Sequence, residues 1–195
     1  MSANGVDATT IQQITDTAVV GFGTFYNYFP TKDALALDVL DCVIHNIGER
    51  NDLVTRELGE TDPVAIVANS VRFVIREMTT NAMWRWWLAR LDLLVDRMRL
   101  GFGPFGLRDI AKAVHSGDYH LVDGDPSLAW NHLIWLMAAA GKDIVDGHVR
   151  AESEAAYAEG ILRVMGVEHA HAHAATTLAL LPSPTLAIDF AFETR

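Results

Sequence analysis

Two hydroxyl-bearing tyrosines lie inside a very short aromatic run, Gly21-Phe-Gly-Thr-Phe-Tyr-Asn-Tyr-Phe-Pro-Thr-Lys32. Pro30 stops the run and Thr31-Lys32-Asp33 restarts the chain. Tyr26 and Tyr28 can donate to phosphate oxygens while Phe25 and Phe29 hold the segment to a core, and Lys32 adds a cation. An equally simple reading makes the same tyrosines and threonines the caps and anchors of a helical bundle.

Other constellations suggest less. His169-x-His171-x-His173 places His169 and His173 four apart, on one helix face, a spacing that can hold a transition metal. No carboxylate or cysteine completes the set, although Glu168 is adjacent, so a solvated helix end is expected and no metal is assigned. Asp118, His120 and Asp123 read as a polar loop. No nucleophile–base pair with a recognisable spacing is present; no catalytic residue and no cofactor are assigned. Gly101-Phe-Gly-Pro-Phe-Gly106 spells Gly-x-Gly-x-x-Gly, but a nucleotide fingerprint requires a strand before it and a helix after it. Here a Trp- and Leu-rich helical pattern precedes it and Pro104 sits inside, which predicts a glycine-rich turn. Gly141-Lys142-Asp143 lacks the rest of a phosphate loop.

The elements around these residues read as helices throughout. Thr9-Thr10-Ile11-Gln12-Gln13 satisfies the Thr-x-x-Gln capping box in two registers and predicts a helix start. Thr31 predicts the cap of a helix with Leu37, Leu40, Ile44 and Ile47 on one face, running toward Leu58 and broken by Gly59 and Asp62-Pro63. Pro63 is placed to open the next helix, striped with Val64, Val67, Val71, Val74 and Met78. A third stripe joins Trp84, Trp87, Leu88, Leu91 and Val95. A shorter helix follows near Leu107 to Val114, then a loop from Ser116 to Pro126. The helix from Ser127 to about Asp146 is apolar on two faces and needs two partners. A last stripe, Ala158, Ile161, Leu162 and Met165, ends at Gly166. Beyond Pro182, residues Leu186 to Glu193 alternate with a period of two, a strand pattern.

Composition sets the bounds. In 195 residues, half hydrophobic, there is enough apolar matter for a sizeable core. The apolar stretch from Leu133 to Gly141 is too short to span a bilayer, and no secretory leader is expected. A single cysteine, Cys42, excludes an internal disulfide framework and fits a reducing cytoplasm; its neighbours Leu40, Val43 and Ile44 predict inert packing. The net charge is −10, and Lys32 is the only lysine or arginine among the first 49 residues. Non-specific DNA affinity comes mainly from phosphate neutralisation, and this segment offers little of it.

Residues 5 to 47, from Gly5-Val-Asp-Ala-Thr-Thr-Ile-Gln-Gln-Ile14 through Thr24-Phe-Tyr-Asn-Tyr-Phe-Pro-Thr-Lys-Asp-Ala-Leu35, resemble the DNA-binding region of TetR-type transcriptional regulators. The Thr-Phe-Tyr-Asn-Tyr-Phe-x-x-Lys core is a specific signature. The helical remainder, through Ile161-Leu-Arg-Val-Met-Gly166, resembles the family in outline. The resemblance implies an all-α chain in three parts. Residues 1–48 would be the helix-turn-helix head, residues 49–175 a helical ligand-binding and dimerisation domain, and residues 176–195 a tail.

Within that frame Thr9, Thr10, Tyr26, Tyr28 and Lys32 would contact phosphates, and Phe22, Gly23, Thr24 and Asn27 would face base edges. Met83, Trp87, Phe102, Phe105, Asn131 and His132 are the expected lining of a ligand cavity. Trp130, Ile134, Ala138, Gly141 and Val145, with Ala158, Ile161, Leu162 and Met165, are the expected dimer interface. The implied partners are double-stranded operator DNA, a small-molecule effector and a second copy of the chain. The implied function is a cytoplasmic ligand-responsive regulator, a repressor released by a small apolar or aromatic ligand. A dimeric ligand-binding module without DNA recognition is the alternative, and a helical-bundle enzyme a more distant one.

Three departures from the family pattern stand out. Val19 occupies the turn position where the family has a glycine, Gly21 and Phe22 replace its serine and polar residue, and its first helix would have to precede Gly5. The true start would then lie upstream, or that helix would have been lost.

Overall fold

The computed structural model describes residues 6–57, 61–81 and 83–180. Among them the regular structure is helical, with no strand. The period-two stretch from Leu186 to Glu193, the break at Gly59 and the segment before Gly5 lie outside the described residues.

α1 (Ile11–Ala18) starts at Thr10, the second of the two cap registers. Gln13 N–H donates to Thr10 Oγ1 at 3.1 Å, and Thr10 N–H donates to Gln13 Oε1 at 2.8 Å, closing the box. α2 (Phe22–Tyr28) follows the turn. α3 (Lys32–Glu57) is capped by Thr31, whose hydroxyl oxygen accepts from Ala34 N–H at 3.1 Å. α4 (Pro63–Thr80) opens on Pro63 with Asp62 as its cap.

The Trp-rich stripe is two helices rather than one. α5 (Met83–Leu88) and α6 (Leu91–Gly101) meet at Arg90, whose φ and ψ of −132° and 62° are not helical. Arg90 stacks on Trp86 at 3.8 Å and reaches Asp7 at 3.4 Å, so the corner ties the body to the segment before α1.

The expected glycine turn is also absent. α7 (Gly103–Ser116) begins two residues after α6 ends. Its glycines serve close packing instead: a Cβ on Gly101 would meet Ile44, and one on Gly106 would collide with the Trp130 ring. The loop after Ser116 turns at Gly117, in the left-handed region at φ 85°.

α8 (Pro126–Val145) is the central helix. It packs against α4, α6, α7 and α9 (Glu154–Val164), which is why it is apolar on more than one side. α10 (His169–Thr177) closes the bundle against α4 and α9. Arg72, buried in α4, donates from Nη1 to Leu178 O at 2.6 Å and so holds the end of α10; burial lowers its pKa. No helix among the described residues is long and apolar enough to cross a membrane.

Candidate nucleic-acid interface and ligand cavity

The head is built on a strained turn. Val19 ends α1 with φ 56° and ψ 42°, the left-handed region that disfavours a β-branched residue, and it is 90% exposed. Its peptide N–H and that of Val20 still close the turn on Asp16 O and Thr15 O. Gly21 then caps α2 without a side-chain hydrogen bond. Phe25 is the one buried residue of α2, packed edge-on to Tyr26 and beside Phe29.

Burying Phe25 turns the opposite side of α2 outward. Phe22, Gly23, Thr24, Tyr26, Asn27 and Tyr28 are all exposed, and the rings of Phe22 and Tyr26 lie 5.5 Å apart along one ridge. The structure therefore leaves these six expected contact residues exposed, with Thr10 exposed at the start of α1. It does not do so for Thr9, which is buried. Lys32 is half-buried, and its Nζ donates to Asp7 O at 3.2 Å and Thr9 O at 2.9 Å, so its charge also staples the entering chain to α3.

In the body, a cavity of about 60 Å³ opens between α3, α4, α7 and α8. Ile47, Gly48 and Asn51 come from α3; Val67, Ser70, Val71 and Val74 from α4. Phe105, Gly106, Asp109 and Ile110 come from α7, with Phe102 at the helix junction, and Trp130, Leu133 and Met137 from α8. The walls are apolar and aromatic, with polar groups at a few points, the usual make-up of a small-molecule site.

Of the expected lining, Phe102 and Phe105 lie on the wall of this cavity. Met83, Trp87, Asn131 and His132 are not part of the wall. Trp87 is core packed edge-on to Trp86. Asn131 accepts from Arg99 Nε at 2.7 Å and donates to Ser127 O, while His132 faces solvent. Both polar residues point away because Leu133 and Trp130 take the inward positions of that turn of α8.

The sequence reading missed Asn51, Ser70 and Asp109. Asn51 Nδ2 donates to Ser70 Oγ at 2.6 Å, and Ser70 donates onward to Ile66 O. Asp109 is 7% exposed and held by Arg108, whose Nε and Nη2 lie 2.8 and 3.1 Å from its two oxygens. Arg108 Nη2 also lies 2.6 Å from Asp52 Oδ1, and these hydrogen bonds to Asp109 and Asp52 raise the Arg108 pKa. A signal for Asp109 was present: it shares the inward face of α7 with Phe105, Ile110 and Ala113.

The expected dimer residues need correction. Trp130, Ile134, Ala138, Gly141, Ala158, Ile161, Leu162 and Met165 are buried inside the single chain, and Val145 is partly buried against the same core. The eight buried residues are the contacts of α8 and α9 with the rest of the bundle.

The three histidines of α10 each face a carboxylate. His169 and His173 lie 3.5 and 3.3 Å from Glu159, which Arg163 also contacts, and His171 lies 2.9 Å from Asp62. His120 anchors the loop through its backbone N–H to Met165 O, and Asp118 accepts from Ser116.

The sequence matches the model of bacterial regulatory proteins of the tetR family over residues 1–39 and that of the tetracyclin repressor-like C-terminal domain over residues 62–177. The crystal structure of RolR without ligand is 26% identical, with a TM-score of 0.84 over 94% of both chains. RolR in complex with resorcinol gives the same identity and TM-score, covering 94% of this chain and 90% of that one. AmtR of Mycobacterium smegmatis, 23% identical with a TM-score of 0.52 over 90% of this chain and 86% of that one, shares the fold. No curated protein matches the sequence. With a helix-turn-helix head, a helical body and family models covering both, the chain belongs to the TetR family of transcriptional regulators and is a regulator rather than an enzyme.

Proposed function

We propose that the protein is a homodimeric repressor that binds operator DNA through α1 and α2 and is released by a small aromatic ligand in the cavity between α3, α4, α7 and α8. The observation that carries the reading is that one helix serves both sites. α3 begins at Lys32, which staples the reading head, and its Ile47, Gly48 and Asn51 line the cavity. RolR has been crystallised with resorcinol, a single-ring aromatic, which supports a ligand of that kind here.

The cavity volume supports a switch. About 60 Å³ is less than the roughly 150 Å³ cavity known to take up benzene. Entry of a ring must therefore push Phe102, Phe105 or the α3 wall aside. A ligand shifts an equilibrium only by its differential affinity for the two states, and a cavity that must widen supplies that difference.

For the dimer, the outward faces of α8 and α9 replace the buried set. Trp135 is 49% and Val164 47% exposed, and Ala156 and Gly160 complete a smooth stripe on α9. Two such faces would form a four-helix contact and present two heads to a pseudo-palindromic site.

Fluorescence anisotropy on labelled DNA from the protein's own upstream intergenic region tests the reading. The expected result is sequence-selective binding that weakens with salt, is lost in Tyr26→Ala and is relieved by resorcinol-like ligands. An intact dimer that binds no DNA would support instead a ligand-binding module without DNA recognition, a reading that the acidic head favours.

A further inference from the structure

Resting on the reading of the α3–α4–α7–α8 cavity as the effector site, we propose that Asp109 restricts the effector to neutral aromatics bearing hydroxyl donors and excludes aromatic carboxylic acids and amines.

Asp109 is the single ionisable side chain on the cavity wall; no lysine, arginine or histidine among the described residues lines it. A ligand carboxylate would be buried beside Asp109 with no cation facing it from the wall, and an unpaired buried charge is strongly unfavourable. A ligand ammonium gains little in return. Arg108 already neutralises Asp109 through two hydrogen bonds at 2.8 and 3.1 Å and is tied by a third, at 2.6 Å, to Asp52. Lys112 approaches from outside at 3.9 Å.

Hydrogen-bond capacity then names the group that is accepted. A carboxylate offers about four lone-pair sites, and Arg108 engages each Asp109 oxygen once. What remains is acceptor capacity only. Across the cavity, Asn51 gives one of its two amide N–H groups to Ser70, and the Ser70 hydroxyl proton goes to Ile66 O. Ser70 therefore has no proton to spare, and Asp109 is the charged acceptor of the wall. A charged acceptor on an otherwise largely apolar, aromatic wall selects a ring that carries hydroxyl donors, and rejects an isostere that lacks them.

Isothermal titration calorimetry on the purified full chain tests this with four single-ring probes: resorcinol, its dimethyl ether, 3-hydroxybenzoate and benzylamine. Resorcinol is expected to bind at least about tenfold more tightly than each of the others, since a buried hydrogen bond to a charged group commonly decides that much. Asp109→Asn should weaken resorcinol about tenfold and narrow its margin over 3-hydroxybenzoate. The ether comparison needs only the wild-type chain, so it stands even if the variant folds poorly. Equal or tighter binding of the ether, the acid or the amine would overturn the selection by Asp109 and leave the cavity as an aromatic site. Failure of all four to bind would overturn both this inference and the cavity's role as the effector site.

Discussion

Arg108 on α7 and Asp52 on α3 are joined across the cavity rim, Nη2 to Oδ1, at 2.6 Å. The same guanidinium grips Asp109 on its own helix. Asp52 sits one residue beyond the cavity residue Asn51 and on the helix that begins at the reading head. The bridge therefore couples the wall that would meet a ligand to the element that would move a head. Arg108→Ala would leave Asp109, 9% exposed at its side chain, and Asp52, 17% exposed, without their shared partner. A stability loss of about 2 kcal/mol is expected, discounted from the fully buried case for the partial exposure of Arg108. Arg108→Lys should recover only part of it, because an ammonium cannot reproduce the fork. Urea unfolding measures both; a full rescue by lysine would show that charge alone matters.

Val19 stores strain that no packing repays, since its side chain is almost wholly in solvent at φ 56°. Val19→Gly is expected to stabilise the chain by about 1 kcal/mol, the steric cost of a left-handed L-residue less the extra entropy of glycine. A thermal melt reads this as a rise in Tm. A fall would mean that the valine makes a contact in the dimer or on DNA that offsets its backbone.

Gly106 lies where any Cβ would enter the Trp130 ring. Gly106→Ala should cost about 1–3 kcal/mol through overpacking. Pairing it with Trp130→Leu should return part of that loss by making room, although the indole N–H bond to Arg99 O at 3.2 Å is then lost. Chemical denaturation of the two single variants and the double variant gives the coupling; strict additivity would mean that the two residues do not meet.

The salt response of DNA binding should be shallow. Lys32 is the only lysine or arginine in the first 49 residues, which gives about one neutralised phosphate per head. At roughly −0.9 per phosphate, a dimer should show a slope of log K against log salt concentration near −2. A much steeper slope would place arginines of the body, or residues outside those described, on the DNA.

Cys42 should be slow to alkylate. Burial, followed by the nearby Asp38 and Asp41 carboxylates, raises its thiol pKa above the usual value, which keeps the thiolate scarce at neutral pH. Maleimide labelling of the folded chain should lag well behind labelling of the urea-unfolded chain; equal rates would contradict the packing.

The helices and the head were legible in the sequence because their causes are local. Thr10, Thr31 and Pro63 each act within one turn, and the spacing of Leu37, Leu40, Ile44 and Ile47 expresses a single helix's own geometry. The exposure of Phe22 and Tyr26 along one ridge goes with the burial of Phe25. The joint at Arg90, the lining of the cavity and the free face of α8 were settled only when distant elements met. An apolar residue on α8 looks the same in sequence whether α4, α9 or a second chain covers it, so Ile134 and Ala138 could be placed on a helix face but not assigned a partner. Asp109 was overlooked for the same reason: a carboxylate in a helix reads as solvated until Arg108 and the apolar walls of three other helices close around it.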